Sequence, residues 1–156
     1  MSTVDASAFA VLTAALAKEI GIPDAAPSSD GIFRLEVEGI PLSCIRQGAS
    51  ILLYSSLGNL PGDPAQAEAA RILLLSANVL FRGTGGASLG VAPEDGMVTL
   101  CWKAPMQSMS EGEFLAGVEH FLNLAEHWGK RLEKVEAAPA AQADQAVPRA
   151  DSWTAV

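Results

Sequence analysis

The hydrophobic period of this chain changes repeatedly along its length, and those changes limit the folds that it can adopt. Apolar residues recur every three or four positions in segment 7–20, as on a helix with one buried face. Between residues 33 and 55 they alternate, as on β-strands. The helical period returns at 64–81, alternation at 89–103, and the helical period again at 110–132. The pattern predicts an α+β fold in the order α-β-β-β-α-β-β-α, with an antiparallel sheet packed with three helices.

Turn and capping residues mark the ends of these elements. Glu38-Gly39 and Gln47-Gly48 favour tight reversals, so the first three strands should form an antiparallel meander. Asp63-Pro64 supplies an N-cap followed by proline at the first helical position, and we expect the middle helix to run to about Phe81. Ser110 and Glu113 fit a capping box that opens the last helix.

Length and composition indicate one folded unit. The 156 residues suit a single domain, which we place at residues 1–135. Segment 136–156 is dominated by Ala, Pro, Gln and Asp, so we expect a flexible C-terminal tail. Its Trp153 is an incidental aromatic or a docking anchor, and the first interpretation is simpler.

The charge of the chain argues against two classes of partner. A formal net charge of −8 repels both nucleic acid and anionic lipid surfaces. No apolar run approaches the roughly 20 residues of a membrane helix, and the N-terminus has no basic, apolar leader, so we expect a cytosolic protein. In that compartment Cys44 and Cys101 are expected to be free.

The sequence offers little material for catalysis. His120 and His127 lie two helical turns apart, about 10.5 Å, which is too far to share one metal ion. Segment 83–90 is rich in glycine but follows a helix and opens a strand, unlike a phosphate-binding loop. Acidic pairs such as Glu36 and Glu38 fall at surface positions. The sequence therefore predicts no catalytic residue, no metal site and no cofactor, and hence a protein that is not an enzyme.

Several apolar motifs carry a family resemblance. They are Leu73–Phe81, Leu89–Val91, Gly96–Leu100 and the spaced residues Phe114, Phe121 and Trp128. In this order, and in a small acidic chain, they resemble the class I type III secretion chaperones, the CesT-like (Tir chaperone) family. The resemblance implies a homodimer in the bacterial cytoplasm, paired through the middle helix and the adjoining strand. It also implies that the N-terminal segment of a secreted effector binds in extended form, and that the secretion ATPase is a further candidate partner.

The residue pattern suggests where such contacts would lie. Ile72, Leu75 and Val79 share one side of the middle helix and are our candidates for the dimer interface. An extended peptide can be held by strand addition together with shallow apolar pockets. Our candidates for effector binding are apolar residues on the outward sheet face with two arginines at their rims: Ile32, Ile45, Leu53, Arg34 and Arg46. For each of them, ordinary core packing is the alternative.

Two other functions remain open at this point. The chain could be a small-ligand-binding or enzymatic α/β domain that uses a pocket between the sheet and the last helix. It could also be a regulator that sequesters a protein partner to control transcription.

Overall fold

The computed structural model describes residues 3–135, and the elements follow the predicted order. Their bounds are α1 Thr3–Glu19, β1 Phe33–Val37, β2 Ile40–Gln47, β3 Ser50–Asn59, α2 Pro64–Asn78, β4 Ser88–Val91, β5 Met97–Pro105 and α3 Glu111–Glu133. The predicted α+β class is confirmed. The predicted tail, with Trp153, lies outside the described residues.

The five strands form one antiparallel sheet in the order β1-β2-β3-β5-β4. Cys44 is opposite Leu53, and Leu53 is opposite Trp102, so these three side chains share a face, which we call the inner face. The neighbouring row, which includes Cys101, occupies the outer face. The two free cysteines therefore lie on opposite faces of the sheet.

Strand β3 is longer than its alternation predicts, because it continues to Asn59 instead of ending at Ser55. Its pairing with β5 shifts register between Ser56 and Gly58, which marks a bulge in which one additional residue is accommodated. Because of the bulge, side chains no longer alternate strictly between the two faces of the sheet, so hydrophobic alternation does not predict the last part of β3.

The core lies between the inner face of the sheet and helices α1 and α3. The apolar stripe of α3 is buried along its whole length: Phe114, Val118, Phe121, Ala125, Trp128 and Leu132. The capping box predicted for Ser110 and Glu113 is present at the start of α3. Gly117 lets the ring of Trp102 reach the helix backbone, since a Cβ there would lie 2.5 Å from its Cη2 atom.

Helix α2 ends earlier than predicted, at Asn78 instead of Phe81. The chain continues as a 3-10 turn over Val79–Phe81, in which Leu80 and Phe81 both have φ of 54°, a left-handed conformation that bulky residues rarely adopt. Asn78 provides the physical reason, because its side chain bonds to strand β4 and the chain turns away from the helix axis there. Trp128 Nε1 donates to the Gly83 carbonyl over 3.0 Å and fixes the far side of the turn.

The two edge strands, β4 and β1, differ in what bonds to their outer backbone groups. At β4, the Asn78 side chain accepts from the Leu89 N–H over 2.9 Å and donates to the Leu89 carbonyl over 2.8 Å, as a neighbouring strand would. At β1, the loop before the strand bonds the backbone of Ile32 alone, through Asp30 and Ser28. Within residues 3–135, no other segment bonds to the outer edge of Phe33–Val37. The β1 edge is thus the one that is open to strand addition.

None of the helices in residues 3–135 is both long enough and apolar enough to cross a membrane.

Candidate functional site

A surface groove lies where the first half of α1 meets the start of β1 and the end of β2. This α1–β2 groove encloses about 600 Å³. Its lining residues are Ala6, Phe9, Ala10, Pro27, Asp30, Gly31, Ile32, Ile45 and Arg46. The groove is mainly apolar, with one acidic and one basic side chain, a composition that suits an uncharged or mixed peptide segment better than a strongly charged ligand.

Three of the five residues predicted to bind an effector meet in this groove. Ile32 and Ile45 are half-buried in its lining, and Arg46 stands beside them. Ile32 immediately precedes β1, whereas Ile45 and Arg46 belong to β2, so the pairing of β1 with β2 brings them together.

The other two predicted residues lie elsewhere. Leu53 is fully buried on the inner face, opposite Cys44, so its placement on the outward face was wrong. Both of its neighbours in sequence are also apolar, and for such a run alternation cannot tell which residues point inward. Arg34 lies next to the groove on the outer face and does not line it.

Arg34 instead holds the loop that forms one wall of the groove. Its Nη2 atom lies 2.8 Å from Asp30 Oδ2, and its Nη1 donates to Ser28 Oγ over 2.8 Å. Hydrogen bonds from Arg34, Ser28 and the Ile32 N–H hold the pKa of Asp30 well below its ordinary value, so Asp30 is ionised at neutral pH. Because both partners are about half exposed, the ion pair orders the loop more than it stabilises the fold.

The groove continues directly into the open β1 edge. Ile32 lines the groove and immediately precedes β1. The Ile32 N–H and carbonyl face Asp30 and Ser28, on the side away from β2. Since the N–H and carbonyl groups of alternate strand residues point to the same side, those of Arg34 and Glu36 also face the open edge. A peptide seated in the groove could therefore pair with β1.

A second apolar surface lies along helix α2 and the 3-10 turn after it. Five large apolar side chains are between 53% and 69% exposed, and we call them the α2 ridge: Ile72, Leu75, Val79, Leu80 and Phe81. The helix packs inward mostly through small residues, namely Ala67, Ala70 and Ala77 together with Leu74. An exposed patch of large apolar side chains is typical of a protein interaction site.

The ridge includes the three residues predicted for a dimer interface and two that the sequence analysis missed. Leu80 and Phe81 were read as the end of a regular helix, but the left-handed turn makes them part of the ridge. Three glycines at positions 83, 85 and 86 indicated that the helix ends nearby. They did not indicate the direction in which the side chains before them point.

The two cysteines of the described segment are poorly suited to nucleophilic chemistry, and its two histidines are not part of a cluster of metal ligands. Burial raises the pKa of the Cys44 thiol to about 12 and also raises the pKa of Cys101, which disfavours the nucleophilic thiolate. His120 and His127 are exposed, and among residues 3–135 no three His, Cys, Asp or Glu side chains cluster as metal ligands would.

The sequence of this chain matches the model of a known protein family. The sequence model of the Tir chaperone protein (CesT) family matches residues 12–129, which is most of the chain. The chain belongs to the CesT family. No curated protein sequence matches it.

Several solved structures share the fold of this chain. The crystal structure of the ExsC–ExsE complex matches with a TM-score of 0.68 and 20% identity, covering 81% of this chain and 94% of that one. The HopA1–SchA chaperone–effector complex matches with a TM-score of 0.68 and 13% identity, covering 83% and 98%. The Yersinia pestis type III secretion chaperone SycH, bound to a stable fragment of YscM2, has a TM-score of 0.59 and 12% identity, covering 76% and 98%. At these identities the similarity establishes a shared CesT-type fold.

Proposed function

We propose that this protein is a type III secretion chaperone of the bacterial cytoplasm that binds the N-terminal segment of a secreted effector in extended form. The observation that carries the proposal is the match to the CesT family over residues 12–129. Its relatives of known structure include a chaperone–effector complex and a type III secretion chaperone with a bound fragment. We propose a binding role without catalysis.

The α1–β2 groove and the open β1 edge support this function. The groove offers half-buried apolar side chains to an apolar anchor of the client, and the edge offers unpaired backbone groups to the residues that follow. Backbone pairing is independent of side-chain identity, so it suits an unfolded segment. Ile32, Ile45 and Arg46 are the proposed contact residues, while Arg34 acts by holding the Asp30 loop.

The test compares two isoleucines. The client is first identified as the secreted protein that co-purifies with the tagged chain, and its N-terminal segment is then titrated against the purified protein by calorimetry. Ile45→Asp should weaken binding by at least about tenfold, because a charge would replace an apolar contact. Ile22→Asp is the matched control, since Ile22 is exposed and lies outside the groove. Equal affinities for the two variants would contradict the proposed site.

We also propose that the protein is a homodimer that pairs through the α2 ridge. Burial of this apolar surface against a second copy is favourable by roughly 25 cal/mol per Å². Leu75 is the most exposed member of the ridge and stands between Ile72 and Val79. The resemblance to secretion chaperones also suggests the secretion ATPase as a further partner.

Light scattering tests the interface. The unmodified chain should have twice the mass of one protomer, and Leu75→Asp should reduce it to one, because an unpaired charge would be buried. Val11→Asp places the same charge at an exposed apolar position of α1, outside the α2 ridge, and should leave the dimer intact. A dimer that survives Leu75→Asp would show that the ridge is not the interface.

A further inference from the structure

A second groove lies at the opposite end of β1, between the last turns of α1 and the first half of α3. This α1–α3 groove encloses about 500 Å³. Its floor is apolar and consists of Leu16, Ile20, Val37, Leu115, Val118 and Leu122. Four of the six side chains are only half-buried, so the floor is accessible from solvent.

Each of the three walls contributes one carboxylate. Glu19 belongs to α1, Glu38 to the β1–β2 turn and Glu119 to α3, and all three are exposed. In the described part of the chain none of them forms an ion pair, and no lysine or arginine is among the residues that line this groove. The α1–β2 groove differs, because there an arginine accompanies the single acid.

The walls favour a helical ligand. Two of them are helices, and the only strand residue in the lining, Val37, stands at the end of β1 next to the turn. A helix seated between α1 and α3 would place residues spaced by three or four positions on the floor and its flanking residues against the carboxylates.

We propose that the α1–α3 groove binds a cationic amphipathic helix of another protein, with apolar side chains on the floor and Lys or Arg side chains facing Glu19, Glu38 and Glu119. Charge complementarity decides the occupant. A second copy is a poor ligand, because the chain carries 18 acidic and 10 basic residues. The segment 136–156 is no better, since it has Glu136, Asp144 and Asp151 against Arg149 alone. The site goes beyond the proposed function and does not depend on it.

The probe is a fluorescent Leu/Lys peptide of about 18 residues, five helical turns, with leucines at three- and four-residue spacing. Its binding to the full chain is followed by anisotropy. The triple variant Glu19→Gln, Glu38→Gln, Glu119→Gln should weaken binding by about tenfold, as expected for three rim charges. A variant with Glu68→Gln, Glu94→Gln and Glu133→Gln has the same net charge but alters carboxylates outside the groove, and should bind as the unmodified chain does.

Two further measurements distinguish binding in the groove from nonspecific attraction between a cationic peptide and an acidic protein. Ala116 is exposed and lines the groove, so Ala116→Trp should block the floor and abolish binding without changing any charge. A Leu/Glu peptide with the same spacing should not bind. Equal weakening by the two triple variants, or unchanged binding to Ala116→Trp, would overturn the proposal.

The outcome is independent of the chaperone proposal. Calorimetry with the client segment and light scattering, applied to the Glu19, Glu38, Glu119 variant, should give the values of the unmodified chain. If that variant lost client binding or the dimer, the proposal that the α1–α3 groove is a separate site would be wrong. If Ile45→Asp did not affect client binding, the proposed effector site would be wrong and the proposal for the α1–α3 groove would not be affected.

Discussion

Helices α2 and α3 both carry large apolar side chains, but they direct them to different places. In α3 the three aromatic residues Phe114, Phe121 and Trp128 are buried in the core. In α2 the residues that pack inward are mainly alanines, and the large side chains Ile72 and Leu75 face solvent. Helix α3 therefore completes the core of the protomer, whereas α2 leaves large apolar side chains at the surface, where the proposed dimer interface would bury them.

The largest expected effect contrasts the two helices directly. Phe121→Ala should lower the free energy of unfolding by about 3–5 kcal/mol at any protein concentration, because it leaves a cavity in the core. Leu75→Ala should destabilise only under conditions in which the dimer is populated. Urea titrations at low and high protein concentration measure both. If Leu75→Ala were as costly as Phe121→Ala in dilute solution, the contrast between the helices would be wrong.

The small inner residues of α2 provide a second test. Ala70 is fully buried, so Ala70→Leu should overpack the contact and cost roughly 1–3 kcal/mol of unfolding free energy. Ala65→Leu makes the same change at an exposed position of α2 and should stay within about 0.5 kcal/mol. Urea midpoints with unchanged slopes would report the difference. A neutral Ala70→Leu would mean that α2 is not closely packed.

Helix α2 is also attached to β4 by a pair of side-chain hydrogen bonds, in addition to its apolar contacts. Asn78→Ala leaves the N–H and carbonyl of Leu89 without their side-chain partner, and should cost about 1–2 kcal/mol because both groups are partly buried. Ser76→Ala, at an exposed position two residues earlier, serves as the control. Hydrogen exchange at the Leu89 amide should accelerate in Asn78→Ala alone. Unchanged exchange there would argue against this bond as the anchor of α2.

The smallest effect concerns the start of α3. Ser110→Ala removes the capping box and should cost about 1 kcal/mol at neutral pH. Hydrogen bonds from Ser110 lower the pKa of Glu113 in the folded state, so this contribution is present above the unfolded-state pKa and is lost as the pH falls through the lowered folded value. The Ser110 N–H remains in the variant, so only the bond from the Ser110 hydroxyl to the Glu113 carboxylate adds a pH-dependent part to the cost of Ser110→Ala. Thermal unfolding should therefore show a smaller difference between the variant and the unmodified chain in acid than at neutral pH, and the part due to the lost acceptor of the Glu113 N–H should persist. Ser108→Ala, which is exposed and lies outside the helix, should show no such pH dependence.

Within the described segment, the sequence by itself determined the order of the helices and strands and the apolar faces of the most regular helices. The three- and four-residue spacing from Phe114 to Leu132 and the capping box at Ser110 predicted α3 correctly, because helical periodicity and capping are local properties. The same spacing identified Ile72, Leu75 and Val79 as an apolar helix face. The element order and apolar motifs also led to the CesT family.

Only the tertiary structure decided which apolar residues remain at the surface. Leu53 lies in a strand with apolar neighbours, so its inward direction depends on pairing with Cys44 and Trp102. Leu80 and Phe81 reach the α2 ridge because Asn78 bonds to a strand eleven residues away and ends the helix. The two grooves along α1 likewise join residues distant in sequence, such as Phe9 with Ile45 and Glu19 with Glu119. Such sites depend on contacts between elements, and the hydrophobic pattern of one segment does not encode them.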